Sequence, residues 1–261
     1  MRLLHPGTAL AVALVTTAGI GVTPHVRLTG AAQASPGSLS TALDAHVAEG
    51  RLRTRMFNRH VLTPGPEQIS WQWRKPGRLV FTGRNHTGAP IRDWNRREVF
   101  TRTRTRRSTN HEVCATWRSQ STWTMQQGLA VRVRESRHRL RAVTVTKNVF
   151  ANFFWVFNLH TWDTRRSGDP WRLVGQFDMS DVVAPHGRLL SFPWRVCLRV
   201  RGRAVSFKVW LPRREPDPGW ADAGHVRQSR LSARYVFAGL PGWYVGHFRA
   251  RRTTVFSRLQ P

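Results

Sequence analysis

Period-two alternation limits what this chain can fold into more than any other feature. On either side of Gly202, the runs Trp194 to Val200 and Ala204 to Leu211 read as the two arms of a hairpin. In such a pair Val196, Leu198 and Val200 share a face with Val205, Phe207 and Val209. Arg195, Cys197, Arg199, Ser206, Lys208 and Trp210 fall on the opposite face. The same period recurs in Gln68 to Arg74, in Arg78 to Thr82 after the Pro76-Gly77 turn, and in Val99 to Arg106, with Thr and Arg on opposite sides. It returns in Gln127 to Arg134, Arg141 to Asn148, Asn152 to Trp162, Gly242 to Phe248 and Thr253 to Leu259. Within Asn152 to Trp162, residues Phe153 to Phe157 are apolar on both faces, which predicts a strand inside a sheet rather than at its edge. No helical pattern is long enough to shape the fold. Many short strands separated by turn residues predict an all-β chain, a sandwich of two antiparallel sheets.

The N-terminus has a different character. Residues 1–34 read as a secretory signal: Arg2, then the apolar run Thr8 to Val22, then Ala32-Gln33-Ala34 as a cleavage site. No later stretch is apolar for long enough to cross a bilayer, so no transmembrane span is expected. Residues 35–61 read as a lead-in, helical over Leu43 to Ala48 or irregular, and residues 62–261 as one β-sandwich domain. An exported chain is expected to be extracellular or associated with the cell envelope. In that compartment Cys114 and Cys197, the two cysteines of the sequence, are expected to form a disulfide.

The formal charge is +28, or +26 once Arg2 and Arg27 leave with the signal. Such a surface attracts anions without selecting among them. Among the basic residues only Lys75, Lys147 and Lys208 are lysine, a bias that a GC-rich genome also produces.

The runs CATWRSQSTWTMQQGLAVRVR from Cys114 and AVTVTKNVFANFFWVFNLHTWDT from Ala142 carry a family resemblance. So do WRLVGQFD from Trp171, PWRVCLRVRGRAVSFKVW from Pro193 and GWYVGHF from Gly242. Over Arg78 to Leu259 the chain resembles secreted actinobacterial proteins of concanavalin A-like lectin/glucanase (LamG-like) type. That resemblance implies a jelly-roll sandwich with one concave face where relatives hold glycans. The laminarinase-type Glu-x-Asp-x-x-Glu run is missing, so that group's catalytic residues have no counterparts here.

Glycoside hydrolysis needs two carboxylates across the scissile bond, and the chain has only 14 acidic residues. Asp163, Asp169, Asp178 and Asp181 form the densest group; turn capping and ion pairing with arginines is the simpler account of them. Asp163, near Trp162 and His160, is the one catalytic candidate, and Ca²⁺ the one cofactor this group admits. No His-Glu-x-x-His, Gly-x-Ser-x-Gly or Walker-type run is present, and no zinc site is expected. Nor is there a recognition helix or zinc finger for sequence-specific nucleic-acid binding, and no feature names a protein partner.

The Cys114–Cys197 pairing would put Thr116 and Arg118 beside Arg195, Arg199, Lys208 and Trp210. This Arg/Trp face, with Asn158, His160 and Trp162 on the central strand, is the expected ligand surface. Indole stacks on sugar rings, and guanidinium forks bind hydroxyls, carboxylates or phosphates. A lectin-like module holding a glycan or an acidic envelope polymer is therefore expected. A hydrolase with non-standard carboxylates and a non-selective polyanion binder are the alternatives.

Overall fold

The computed structural model describes residues 57–65, 68–84 and 96–261. The signal, the helix over Leu43 to Ala48 and most of the lead-in lie outside the described residues. In chain order the strands begin with β1 (Phe57–Thr63), β2 (Gln68–Arg74), β3 (Arg78–Arg84), β4 (Arg97–Arg102), β5 (His111–Gln120), β6 (Gln126–Ser136) and β7 (Arg139–Lys147). They continue with β8 (Val156–Asp163), β9 (Trp171–Asp178), β10 (Trp194–Arg201), β11 (Ala204–Trp210), β12 (Val226–Arg230), β13 (Leu240–Gly246) and β14 (Thr253–Gln260). The front sheet runs β1-β4-β13-β6-β7-β8-β9 and the back sheet β12-β11-β10-β5-β14-β3-β2, with antiparallel neighbours throughout. The last two strands enter the middle of the two sheets, β13 between β4 and β6 and β14 between β5 and β3. An all-β sandwich of two antiparallel sheets is the fold class that the alternation predicts, and its jelly-roll-like form is what the resemblance implies. Among the described residues no helix is long and apolar enough to cross a membrane.

The two sheets meet through the residues that period two places inward. Val196, Leu198, Val200, Val205, Phe207 and Val209 from the back sheet face Leu129, Val131, Val143, Val145, Phe157 and Leu159 from the front. Phe157 ties the layers by stacking on Trp117 at 5.7 Å and on Phe207 at 5.6 Å. Aromatic pairs of this kind add about 0.5–1.5 kcal/mol each beyond their buried area. The hairpin register is the expected one, Val196 opposite Val209 and Leu198 opposite Phe207. Cys197 lies opposite Cys114 and is bonded to it.

Local details depart from the sequence reading for identifiable reasons. The first described strand begins at Phe57, inside the segment read as lead-in, and pairs with β4. Strand β4 stops at Arg102, so the Thr/Arg alternation does not continue as a strand to Arg106. Phe153 to Trp155 belong to the turn before β8, so the strand is shorter than the apolar run. Phe153 is exposed in that turn, Phe154 stacks on Trp123 at 5.7 Å, and Trp155 packs against the core.

In β6 a bulge between Val131 and Arg134, with Arg132 at φ 53°, moves Val133 to the outward face. Strict alternation puts Arg132 in solvent; instead it is fully buried. It donates to the carbonyls of Thr109 (2.9 Å), Tyr235 (2.6 Å) and Gly202. Lys147 is buried at the inward end of β7, where its Nζ donates to Trp123 O at 2.6 Å. Desolvation lowers its pKa to about 7.

Candidate functional site: a groove on the front sheet

The outward face of the front sheet bears a depression of about 360 Å³. Its floor follows from alternation along β8: Phe157 and Leu159 point to the core, so Asn158, His160 and Trp162 point out. Two neighbouring strands complete it. Tyr244 on β13 buries its ring beside Gly128, where an added Cβ would meet Tyr244 Cδ1 at 3.0 Å and Val145 O at 2.5 Å. On β9 the register shifts opposite Leu159 and His160, around Val174 and Gly175. That bulge places Leu173 and Gln176, three residues apart, on the same outward face, while Val174 and Phe177 pack on the core.

A chain of amides links floor to rim. Gln176 Nε2 donates to Asn158 Oδ1 (3.1 Å), and Asn158 Nδ2 to Asn148 Oδ1 (3.4 Å). Asn148 Nδ2 in turn holds the carbonyls of Phe150 (2.9 Å) and Phe153 (3.2 Å) in the β7–β8 turn. Two residues of that turn, Ala151 and Asn152, have φ of 52° and 61°. The turn lifts Phe150 and Phe153 to the groove's edge, 61% and 51% exposed, and Leu173 on the opposite rim is 46% exposed. These are three of the four large hydrophobic residues exposed among the described residues. Their convergence on one depression marks it as a surface built for contact.

The polar groups of the floor differ in how well they are satisfied. Tyr244 Oη donates to Gln126 Oε1 at 2.5 Å, and Trp162 Nε1 to Thr144 Oγ1 at 2.8 Å. Burial raises the Tyr244 pKa, with Arg97 opposing, so the phenol stays neutral. His160 lies edge-on to Trp171 at 5.4 Å, and its buried Nδ1 has no hydrogen-bond partner. Burial first, and the Arg97 cation second, push its pKa down to about 4, so the imidazole is neutral at pH 7. The Arg97 guanidinium lies 5.7 Å from the Trp162 ring and 3.2 Å from His247 Nε2.

Among the described residues no carboxylate lines the groove. Asp163, the catalytic candidate, is tied by both oxygens to Arg139 (2.9 and 2.6 Å) and accepts the Arg165 amide. That pairing holds its pKa below the usual range. Its chemistry is that of a turn cap and ion pair. Among the described residues Asp163, Asp169, Asp178 and Asp181 do not gather into a metal-binding group. The one cluster of ligand-type atoms, Glu112 with Cys114 and Cys197, contains the disulfide.

The remaining expected ligand residues lie on the outward face of the back sheet, away from Asn158, His160 and Trp162. They are together, as alternation requires, but covered. Arg195 is buried, donating to Thr116 Oγ1 (3.3 Å), Arg258 O and Gln260 Oε1. Residues 211–225 cross the rest. Trp220 lies 4.0 Å from the Arg199 guanidinium and 5.0 Å from Lys208 Nζ, and its Nε1 donates to Glu112. Lys208, itself buried, is paired with Asp217 and donates to Pro218 O at 2.7 Å. Trp210 packs with Trp220 and the disulfide rather than facing solvent. Arg118 stands apart, at a cavity of about 370 Å³ beside Trp123 and Phe192. The open Arg/Trp face expected from sequence is thus a covered one, because the loop after β11 supplies the acids and indole its cations need.

Arg97, Gln126, Asn148, Phe150, Phe153, Trp171, Leu173, Gln176 and Tyr244 complete the groove and were not singled out from sequence as ligand residues. Gly175 inside a strand pattern is the one signal that pointed to the bulge.

No family model matches the chain, and no curated protein matches it. Among solved structures it is similar to the carbohydrate binding module CBM66 from Bacillus subtilis. The identity is 9%, with 78% of this chain and 94% of that chain covered and a TM-score of 0.46. A Bacillus subtilis protein of unknown function with a galectin-like fold is 12% identical, with 77% and 87% covered and a TM-score of 0.46. A prokaryotic β-1,3-1,4-glucanase (lichenase) derived from a mouse hindgut metagenome is 5% identical, with 81% and 94% covered and a TM-score of 0.47.

Proposed function

We propose that the protein is an exported, non-enzymatic, lectin-like module that holds a glycan in the front-sheet groove. The observation that carries this reading is the groove's chemistry: apolar rings at the rim, amides on the floor and, among the described residues, no carboxylate. Sugar rings offer C–H faces to aromatic side chains and hydroxyls to amides. A pocket that is mostly apolar with a few convergent polar groups suits such a ligand. Hydrolysis finds no support there, since an acid and a base or nucleophile must flank the bond. Export agrees with the signal-like N-terminus and the disulfide.

The test is binding of the purified protein to a broad glycan array at low and high salt, with Trp171→Ala and Phe153→Ala compared at equal folding. Salt-resistant binding to one glycan class, weakened at least about tenfold by Trp171→Ala (~1.4 kcal/mol), is the expected result. Binding that vanishes with salt, or that both substitutions leave untouched, overturns the reading.

A further inference from the structure

Beyond Trp162 the outward face of the front sheet leads into a second cleft, of about 410 Å³. Its walls are the β6–β7 hairpin tip, the β8–β9 loop and the end of β1. The two loops are fixed to each other: Leu140 N donates to Thr164 Oγ1 (2.8 Å), Thr164 N to Leu140 O (3.0 Å) and Asp163 N to Pro170 O (2.7 Å). Arg137, Arg139 and Arg166 line the cleft with His138, Ser136 and Thr164.

Cations outnumber anions here, and the anions are engaged. Glu135 Oε2 is 2.7 Å from His60 Nδ1, and Asp163 is held by Arg139. Asp169 is exposed in the β8–β9 loop. Against these stand Arg137, Arg139 and Arg166 of the lining, with Arg134, Arg141 and Arg165 close to them in sequence. Arg134 and Arg141 are directly opposite across the β6–β7 ladder, and Arg141 lies 3.9 Å from the Phe237 ring and donates to Arg234 O at 3.4 Å. The Arg141 pKa is lowered by burial and then by Arg139 and Arg134. Arg166 donates one nitrogen to Tyr235 Oη (3.0 Å), while its buried Nη1 has no partner. A buried guanidinium nitrogen without an acceptor is costly, and turning it toward an acceptor in the cleft would remove that cost.

We propose that this cleft is an oxyanion site, in which Arg137, Arg166 (its guanidinium turned toward the cleft) and the Thr164 hydroxyl receive a phosphate, sulfate or carboxylate group. Guanidinium forks match the planar or tetrahedral oxygens of such groups bidentately. Thr164 lies two residues past Trp162, about 7 Å along the strand direction. A polymer in the groove therefore reaches the cleft with an acidic substituent. This last step, and only this step, rests on the glycan-binding reading, and it narrows the ligand class to acidic polysaccharides.

The test has two arms. In the first, inorganic phosphate is titrated into the ¹⁵N-labelled mature protein at fixed ionic strength. Shifts should centre on residues 136–139 and 164–168, and should fall at least fivefold in Arg137→Gln and Arg166→Met. The control R213Q/R214Q, which removes two charges in the loop of the opposite sheet, should retain them. Shifts spread evenly over the surface, or an equal loss in the control, overturn the site. Arg137 sits at an exposed hairpin tip, so its variant remains informative if Arg166→Met does not fold.

In the second arm, oligogalacturonate is compared with its methyl ester, the same backbone without charge. A preference for the acid of about tenfold or more, lost in R137Q/R166M, supports one polymer spanning both sites. Equal binding of acid and ester breaks the link between sites but leaves the phosphate result standing. Binding of neither, together with a failed glycan array, removes the groove reading alone.

Discussion

The two outward faces of this sandwich carry similar residues and end in opposite states. The back face has three cations, Arg195, Arg199 and Lys208, and hydroxyl groups around Trp210; Arg258 and Gln260 close over Arg195, and residues 211–225 cover the rest. Asp217 meets Lys208, Trp220 lies over Arg199, and His225 bridges Glu215 (3.0 Å) and Asp222 (3.1 Å) within the strap itself. On the front face the aromatic rim remains open and His160 Nδ1 is unsatisfied. Residue type on one side of a strand does not by itself make a ligand surface. What decides is whether a following segment brings complementary groups back over it. Unsatisfied polar atoms and exposed rings mark the face where it does not.

If the back face is structural, its disulfide should matter more than anything in the groove. Cys114 and Cys197 are 83 residues apart in sequence, and a loop of that length stabilises by about 4.5 kcal/mol on the chain-entropy model. C114S/C197S should lower the urea midpoint by a corresponding amount while leaving glycan affinity unchanged in the folded fraction. A variant of unaltered stability, or one that stays folded but loses binding, would put the functional weight on the wrong face.

The front face should instead show itself in acid. His160 has a folded pKa of about 4 against 6.5 in the unfolded chain. The unfolded state therefore binds the extra proton between these values, and stability falls as pH drops from about 6.5 toward 4. Integrated from pH 7 to 4.5, the loss is about 2 kcal/mol. His111, also lowered by burial, adds in the same direction, whereas the raised Glu98 opposes it. Lys147 does not contribute below pH 6, being protonated in both states. The difference between wild type and His160→Asn isolates the histidine: the acid limb of the urea-stability profile should flatten in the variant. Parallel profiles would mean that the imidazole is solvated and the groove floor less enclosed than its packing indicates.

The fold was legible in the sequence because a period of two is a local property. The hairpin about Gly202 could be registered residue by residue, and Cys197 opposite Cys114 followed from an even cysteine pair. The groove was legible only along β8, where alternation put Asn158, His160 and Trp162 on one face. Tyr244 and Gln176 reach that face through pairings of strands distant in sequence and through a bulge, which no local pattern encodes. Arg132 and Val133 stand on the faces opposite to those strict alternation gives for the same reason, since one inserted residue inverts everything after it. The strap's Pro212, Pro216 and Pro218 and its charges mark a loop in the sequence, but nothing local marks it as the partner of the face beside it. Matching its acids and indole to particular cations needs three dimensions.

Trp220→Ala gives the smallest expected effect and the most direct test of that assignment. It removes the indole between Arg199 and Lys208 together with one hydrogen bond to Glu112. Cation–π contacts at partly exposed sites and one modest hydrogen bond amount to about 1–2 kcal/mol. Lys208 keeps Asp217 and Pro218, so the strap should loosen rather than detach. Glycan binding and its salt dependence should then stay within about twofold of wild type, because the groove lies on the other sheet. If Trp220→Ala instead gains a new glycan or polyanion affinity that Arg199→Ala abolishes, the strap is covering a second binding face. The contrast between the two sheets would then be one of access, not of role.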